Sequence, residues 1–182
     1  PIRQINRRET LAVGAALATV TIVPRHVLGG PKFTPPSEKL NIAGVGIGGM
    51  GIGDIRSCAS ENIVALCDVD QRALARNAHH FPKAKHYSDF REMLETQKEI
   101  DAVVCATPDH NHAVVSIMAM KMGKHVHCQK PLTHSVFEAR MMGKVAQETG
   151  VATQMGNQGQ ANESARLICE YIQSGAVGTV RE

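Results

Sequence analysis

At 182 residues, 43% hydrophobic and with a net charge of +3, the chain reads as a globular domain with short appendages and excludes a disordered polymer. The positive balance sits at the front: residues 1–32 carry +4 and the remainder −1, so no basic surface argues for a nucleic-acid partner. There is no Trp, the six aromatic residues are scattered, and the five cysteines never take a C-x-x-C spacing, which excludes a base-stacking platform, a zinc knuckle and a dithiol redox motif.

In chain order, residues 1–30 come first. Residues 6–28 read NRRETLAVGAALATVTIVPRHVL, paired arginines before an uncharged run of 13 residues from Leu11 to Val23. That is signal-peptide length and too short to span a bilayer, so residues 1–30 read as a twin-arginine-like export signal and the protein is expected in the periplasm. No clean A-x-A cleavage site precedes Pro31; a leader that does not function would leave the protein in the cytoplasm. Residues 31–38 (PKFTPPSE) form a proline-rich linker.

From residue 39, apolar runs of strand length alternate with helix-length segments. Strands are predicted at Leu40–Val45, Ile63–Cys67, Lys85–Tyr87, Ile100–Ala106, His125–Cys128 and Val151–Met155. Helices are predicted at Gly51–Ser60, Gln71–His80, Asp89–Thr96 with Asp89 as cap, His112–Met122, Ser135–Thr149 and Asn162–Ser174, the last three ended by glycine. Cys67, Cys105 and Cys128 sit at strand ends and read as small buried hydrophobes. Strands apolar throughout, alternating with helices, imply right-handed crossovers and a mostly parallel, doubly wound α/β sheet of Rossmann type over residues 39–160. Residues 161–182 then read as a connecting helix and the entry into a further domain.

Gly44–Gly53 reads GVGIGGMGIG. Of two overlapping G-x-G-x-x-G frames, Gly46/Gly48/Gly51 fits better, because the strand runs through Val45 and the helix starts near Met50. The stretch Gly46, Ile47, Gly48, Gly49, Met50 and Gly51 is therefore assigned to a pyrophosphate, with free N–H groups at the helix start facing it. Asp68, in ALCDVD, ends the second strand 20 residues after Gly48. A carboxylate there accepts from ribose hydroxyls and repels a 2′-phosphate, which favours NAD over NADP. Asp70 is the competing acid, but by the period-two rule it lies past the strand.

Ligands of such sheets bind at the carboxyl ends of strands. Two ends remain: Ala106–His112 (ATPDHNH), and His127–Leu132 (HCQKPL), which brings Gln129 and Lys130 to the cofactor edge. Pro131 keeps Lys130 extended and makes a cis peptide affordable.

The motifs GVGIGGMG, ALCDVD, ATPDHNH and HVHCQKPLTHSVFEAR, in that order, resemble the Gfo/Idh/MocA oxidoreductases, and the leader with VPRHVLGG and TQMGNQ resembles their exported branch. The resemblance implies a Rossmann domain followed by a larger sheet domain, and NAD(P)-dependent oxidation or reduction of a sugar or cyclitol hydroxyl. It implies that Thr107, Pro108, Asn111 and His112 line the cofactor and that Lys130 binds the reacting oxygen and helps move its proton. Asn157 is implied to face nicotinamide or substrate. The family motif is usually Glu-Lys-Pro; Gln129 here removes a carboxylate that would favour a charged Lys130. The chain stops near where the second domain begins, so the expectation is the cofactor-binding half of an enzyme, with any homo-oligomer contacts in the missing half and no membrane anchor once the leader is removed.

Four rival readings stand beside this one. A metal site could use the pairs His110/His112 or His125/His127, but no acid or cysteine sits at familiar spacing, so no metal is expected. A methyltransferase also uses a glycine loop and a strand-end acid. The chain could also be a non-catalytic nucleotide-binding module served by a partner, or take part in glycoside hydrolysis through transient NAD oxidation.

Overall fold

The computed structural model describes residues 34–179 and Arg181. The export-signal reading, residues 1–30, lies outside the described residues, as does the first part of the linker. The chain divides into two units at Lys39/Leu40. The described part of the first holds a single 3-10 turn, Pro36–Glu38.

The second unit is an α/β sandwich. Its strands are β1 (Asn41–Val45), β2 (Asn62–Cys67), β3 (Lys85–Tyr87), β4 (Ala102–Cys105), β5 (His125–Cys128) and β6 (Thr153–Met155). All pairings are parallel and the order is β3-β2-β1-β4-β5-β6, the Rossmann arrangement with its reversal between β1 and β4. The helices are α1 (Met50–Ser57), α2 (Gln71–Asn77), α3 (Phe90–Thr96), α4 (Asp109–Lys121), α5 (Val136–Thr149), α6 (Gln158–Ala161) and α7 (Glu163–Gln173).

Alternation along the strands sorts the core into two layers. Ala43, Val45, Val103, Cys105, Val126 and Cys128 point to one face and meet Met93, Leu94, Ala119, Met120, Met142 and Val145 from α3, α4 and α5. Ile42, Leu66 and Val104 point to the other and meet Ile47, Ile55 and Leu74 around α1 and α2. Each large side chain removed from water here contributes about 1.5–3 kcal/mol. The second layer ends at β4. His125 and His127 share that face, as period two requires, but His125 is exposed and His127 half-buried, so β5 is covered on one side only. The expectation of strands covered on both faces therefore holds for β1, β2 and β4 and fails at β3, β5 and β6. Among the described residues no helix is long and apolar enough to cross a membrane.

Helix boundaries follow local chemistry. Asp70 and Asp89 cap α2 and α3 by accepting from the Arg72 and Arg91 amides. Ser135 and Glu138 form a reciprocal capping box, and Gly150 at φ 66° ends α5. The sequence predicts α4 from His112, yet it begins at Asp109: Pro108 occupies the cap position, and Asp109 puts a carboxylate in the first turn, where the helix dipole favours it. Asn111 and His112 are thereby helical and not part of a strand-end loop. The short α6 was not legible in the sequence.

Candidate functional site

The carboxyl ends of β1, β2, β3, β4 and β5 open into one cleft of about 740 Å³. Gly46, Gly48, Met50, Asp68, Thr107, Pro108, Asn111, His112, Gln129 and Lys130 all line it. Ile47 does not: its side chain is fully buried among Ile42, Ile55 and Leu74. Gly49 is the N-cap of α1 and carries no capping side chain. Met50 brings the acid-free start of α1 to the cleft, while the Gly51 amide donates back to the Gly48 carbonyl at 3.1 Å.

The glycines show why the second frame is the working one. Gly46 has φ +79°, and a Cβ there would lie 2.7 Å from the Ala106 carbonyl and the Thr107 nitrogen. A Cβ on Gly51 would land on the Gly46 carbonyl oxygen. Both are needed for α1 to start directly against β1 and β4. This backbone cradle, the free helix start and the strand-end acid fit a dinucleotide's phosphates and ribose.

Asp68 is tied into the loop it serves. Its Oδ2 accepts from the Gly48 amide at 2.9 Å and its Oδ1 from the Asp70 amide at 2.9 Å. Asp70 itself turns away and caps α2. Beyond Asp68 the cleft continues along Val69, Ser88, Asp89, Phe90 and Arg91. Sequence reasoning passed over these last four, although the strand-end rule applies to β3 as well. Arg91 grips Asp89 through Nε and Nη2, both at 2.9 Å, and this hydrogen bond holds the Asp89 carboxyl below its usual range.

At the far end, Lys130 is exposed in the cleft and the Lys130–Pro131 peptide is cis. Gln129 is 5% exposed. Its Oε1 accepts from the Lys130 amide at 3.0 Å, and its Nε2 donates to Asp54 Oδ2 at 2.8 Å. Asp54, on α1, is a residue that sequence reasoning left out of the site. His112 is fully buried; its Nδ1 lies 2.7 Å from the Pro131 carbonyl oxygen and its Nε2 2.7 Å from that of Thr107. It joins the two strand-end loops. Asn157 is not brought into the cleft: it is exposed at the N-cap of α6 and does not line the cavity.

His112 also meets Cys105 and Cys128, which are registered neighbours on β4 and β5, with all three ligand atoms within 4.8 Å of one another. The proximity of the two thiols holds Cys105 below its ordinary range and pushes Cys128 up. Both ring nitrogens of His112 face carbonyl oxygens, so neither is left to ligate a metal. The sequence pairs do not assemble either: His110 is exposed, and the His125 Nδ1 accepts from the Ala152 amide at 2.9 Å.

Strand order, glycine cradle and strand-end acid together define a dinucleotide-binding domain of the Rossmann class. Residues 40–157 match the Gfo/Idh/MocA oxidoreductase family, described by its NAD-binding Rossmann fold, and the chain belongs to that family. It is 27% identical over 115 residues to levoglucosan dehydrogenase of Pseudarthrobacter phenanthrenivorans, which covers 63% of this chain and 29% of that protein. The myo-inositol 2-dehydrogenase structure from Lactobacillus plantarum superposes with a TM-score of 0.70 at 26% identity, covering 78% of this chain and 43% of that one. The WlbA dehydrogenase from Bordetella pertussis, in complex with NADH and UDP-GlcNAcA, gives a TM-score of 0.67 at 28% identity, over 77% of this chain and 43% of that one. The chain thus spans less than half the length of these relatives.

Proposed function

We propose that this domain is the cofactor-binding half of an NAD-dependent oxidoreductase acting on a hydroxyl or carbonyl carbon of a sugar or cyclitol. The observation that carries the reading is Lys130: a lysine amine with no partner among the described residues, in the same cleft as the glycine cradle and at the end opposite Asp68. NAD, when bound, supplies a hydride acceptor. The chain's own residues do the rest. The loop amides not already bonded within the chain, at the start of α1 around Gly49 and Met50, hold the phosphates. Asp68 accepts from the ribose hydroxyls. Lys130 hydrogen-bonds the substrate oxygen and carries its proton as the carbon changes oxidation state. The relatives' names support a sugar or cyclitol as the substrate class.

The test is a panel of aldoses, anhydrosugars, uronic-acid nucleotides and cyclitols, offered with NAD to the full-length protein while absorbance of NADH is followed. Lys130→Met should lower turnover by about 100-fold or more and leave NADH affinity within twofold. Turnover surviving Lys130→Met would overturn the role of Lys130. Cleavage of a glycoside with no net NADH would overturn net hydride transfer in favour of transient oxidation. We also propose export through residues 6–28; cell fractionation that finds the protein only in the cytoplasm would refute it.

A further inference from the structure

The cleft holds one buried contact that neither the glycine cradle nor the acid explains. Gln129 is 5% exposed, and its amide is enclosed on three sides. Behind it is Gly156, where a Cβ would sit 2.9 Å from Oε1 and 3.1 Å from Cδ. Gly156 is itself fixed, donating from its amide to the Cys128 carbonyl at 2.8 Å. At the nitrogen end is the Asp54 carboxylate, 75 residues away in sequence, and at the oxygen end the Lys130 amide. The orientation of the side-chain amide is thereby determined. Turned over, it would aim an NH2 group at the Lys130 N–H and an oxygen at a carboxylate.

We propose that Asp54 is a positioning residue for Lys130: its carboxylate orients the Gln129 amide, whose oxygen holds the Lys130 backbone N–H. With the His112 ring against the Pro131 carbonyl at 2.7 Å, the Lys130–Pro131 segment is held from α1 on one side and from α4 on the other. The helix that begins the phosphate cradle therefore also sets the backbone from which the lysine projects. The inference rests on the role given to Lys130 above only for its catalytic consequence; the clamp itself stands on the hydrogen bonds.

The pairing also fixes what position 129 accepts beside Asp54. A carboxamide is the partner a carboxylate needs; Gln129→Glu would set two carboxylates against each other where an amide now bonds at 2.8 Å. Carboxylate and amide can be exchanged between the two positions, but neither can be doubled as two acids.

Amide hydrogen exchange of this chain, read at Lys130 and at Gly48, tests the clamp without substrate or cofactor. Gly48 is the reference because its amide is held by Asp68 instead. Asp54→Ala should raise exchange at Lys130 by about tenfold and leave Gly48 unchanged, while Asp54→Asn, which still presents an oxygen, should stay near the parent. Gln129→Glu should lose the protection, and the exchanged pair Asp54→Asn/Gln129→Glu should recover it. Unchanged Lys130 exchange in Asp54→Ala, or a Gln129→Glu variant as protected as the parent, would overturn the proposal. So would equal loss at Lys130 and Gly48 in both Asp54 variants, which would mean general loosening of α1. In the full-length enzyme Asp54→Ala should lower kcat by about tenfold with little change in KM, and the exchanged pair should restore it. Failure of every substrate panel would sink the proposed reaction while leaving the exchange result standing.

Discussion

Two glycines of α1, two residues apart, separate a packing requirement from simple helix propensity. Gly53 faces solvent with nothing within 4 Å of a built Cβ, so Gly53→Ala only removes backbone freedom from the unfolded chain and should stabilise by about 0.5–1 kcal/mol. Gly51→Ala gains the same propensity, but its Cβ lands on the Gly46 carbonyl oxygen and lies 3.0 Å from Ala106 Cβ. Backbone at the end of β1 and a side chain at the end of β4 must give way. An overpacked methyl costs about 1–3 kcal/mol, and a direct collision with backbone belongs at the top of that range. The net effect should be a loss of about 2 kcal/mol, or roughly a 1 M drop in urea midpoint at a slope of about 2 kcal/mol/M. NADH affinity should fall at least about tenfold, because the start of α1 is displaced from its phosphate position. Urea unfolding followed by far-UV circular dichroism and fluorescence titration with NADH read the two effects. A Gly51→Ala variant as stable as Gly53→Ala, with NADH affinity intact, would refute the assignment of the glycine frame and the close approach inferred from it.

Other changes test the two ends of the cleft and its floor. Asp68→Ala removes the acceptor of the Gly48 and Asp70 amides, and should weaken NADH by about tenfold and narrow its advantage over NADPH; adding Asp89→Ser frees Arg91 and should tip the preference toward NADPH in paired fluorescence titrations. Cys67 is pushed up to about 12, first by burial and then by Asp68, Asp89 and Glu92, from an ordinary value of 9.0. The folded chain keeps this thiol protonated where the unfolded chain has ionised, so stability falls as pH rises from 9 toward 12 and is unaffected below. Urea midpoints at pH 8, 10 and 11 should show a shallower alkaline decline for Cys67→Ala than for the parent.

Much of this architecture was legible because it repeats on a short length scale. Period two separated Asp68 from Asp70, and the structure puts one in the cleft and the other on the cap of α2. Strand-end position alone brought Lys130 to the cleft that the glycine loop opens. What was not legible depends on contacts between distant segments. Asp54 and Gln129 are 75 residues apart, and neither position by itself signals the other. His112 reads as one half of an H-x-H pair, yet the helix start at Asp109 turns it inward, onto two carbonyls, and leaves His110 outside. Asn157 follows β6 as Lys130 follows β5, two residues past the strand, but it occupies the N-cap position of α6 and does not join the cleft, because β6 lies at the sheet edge, two strands from the β1–β4 switch point.

The sheet itself, more than its loops, sets the geometry of the cleft. The chain leaving each strand but β3 is caught once more by the last carbonyl of a neighbouring strand. Gly46 donates to Cys67, Ala106 to Val45, Gln129 to Cys105 and Gly156 to Cys128, all at 2.8–2.9 Å, and Asp68 to Tyr87 at 3.1 Å. Asp68 therefore stands at a fixed ladder point, and Thr107 and Lys130 one residue past one. Neighbouring strands lie about 4.8 Å apart, which spaces those points along the sheet edge. That is why a carboxylate after β2 and an ammonium after β5 can address the two ends of one extended ligand. It is also why the remaining freedom, the single step from Gln129 to Lys130, is where a clamp such as Asp54–Gln129 has an effect that a contact further out on a loop would not.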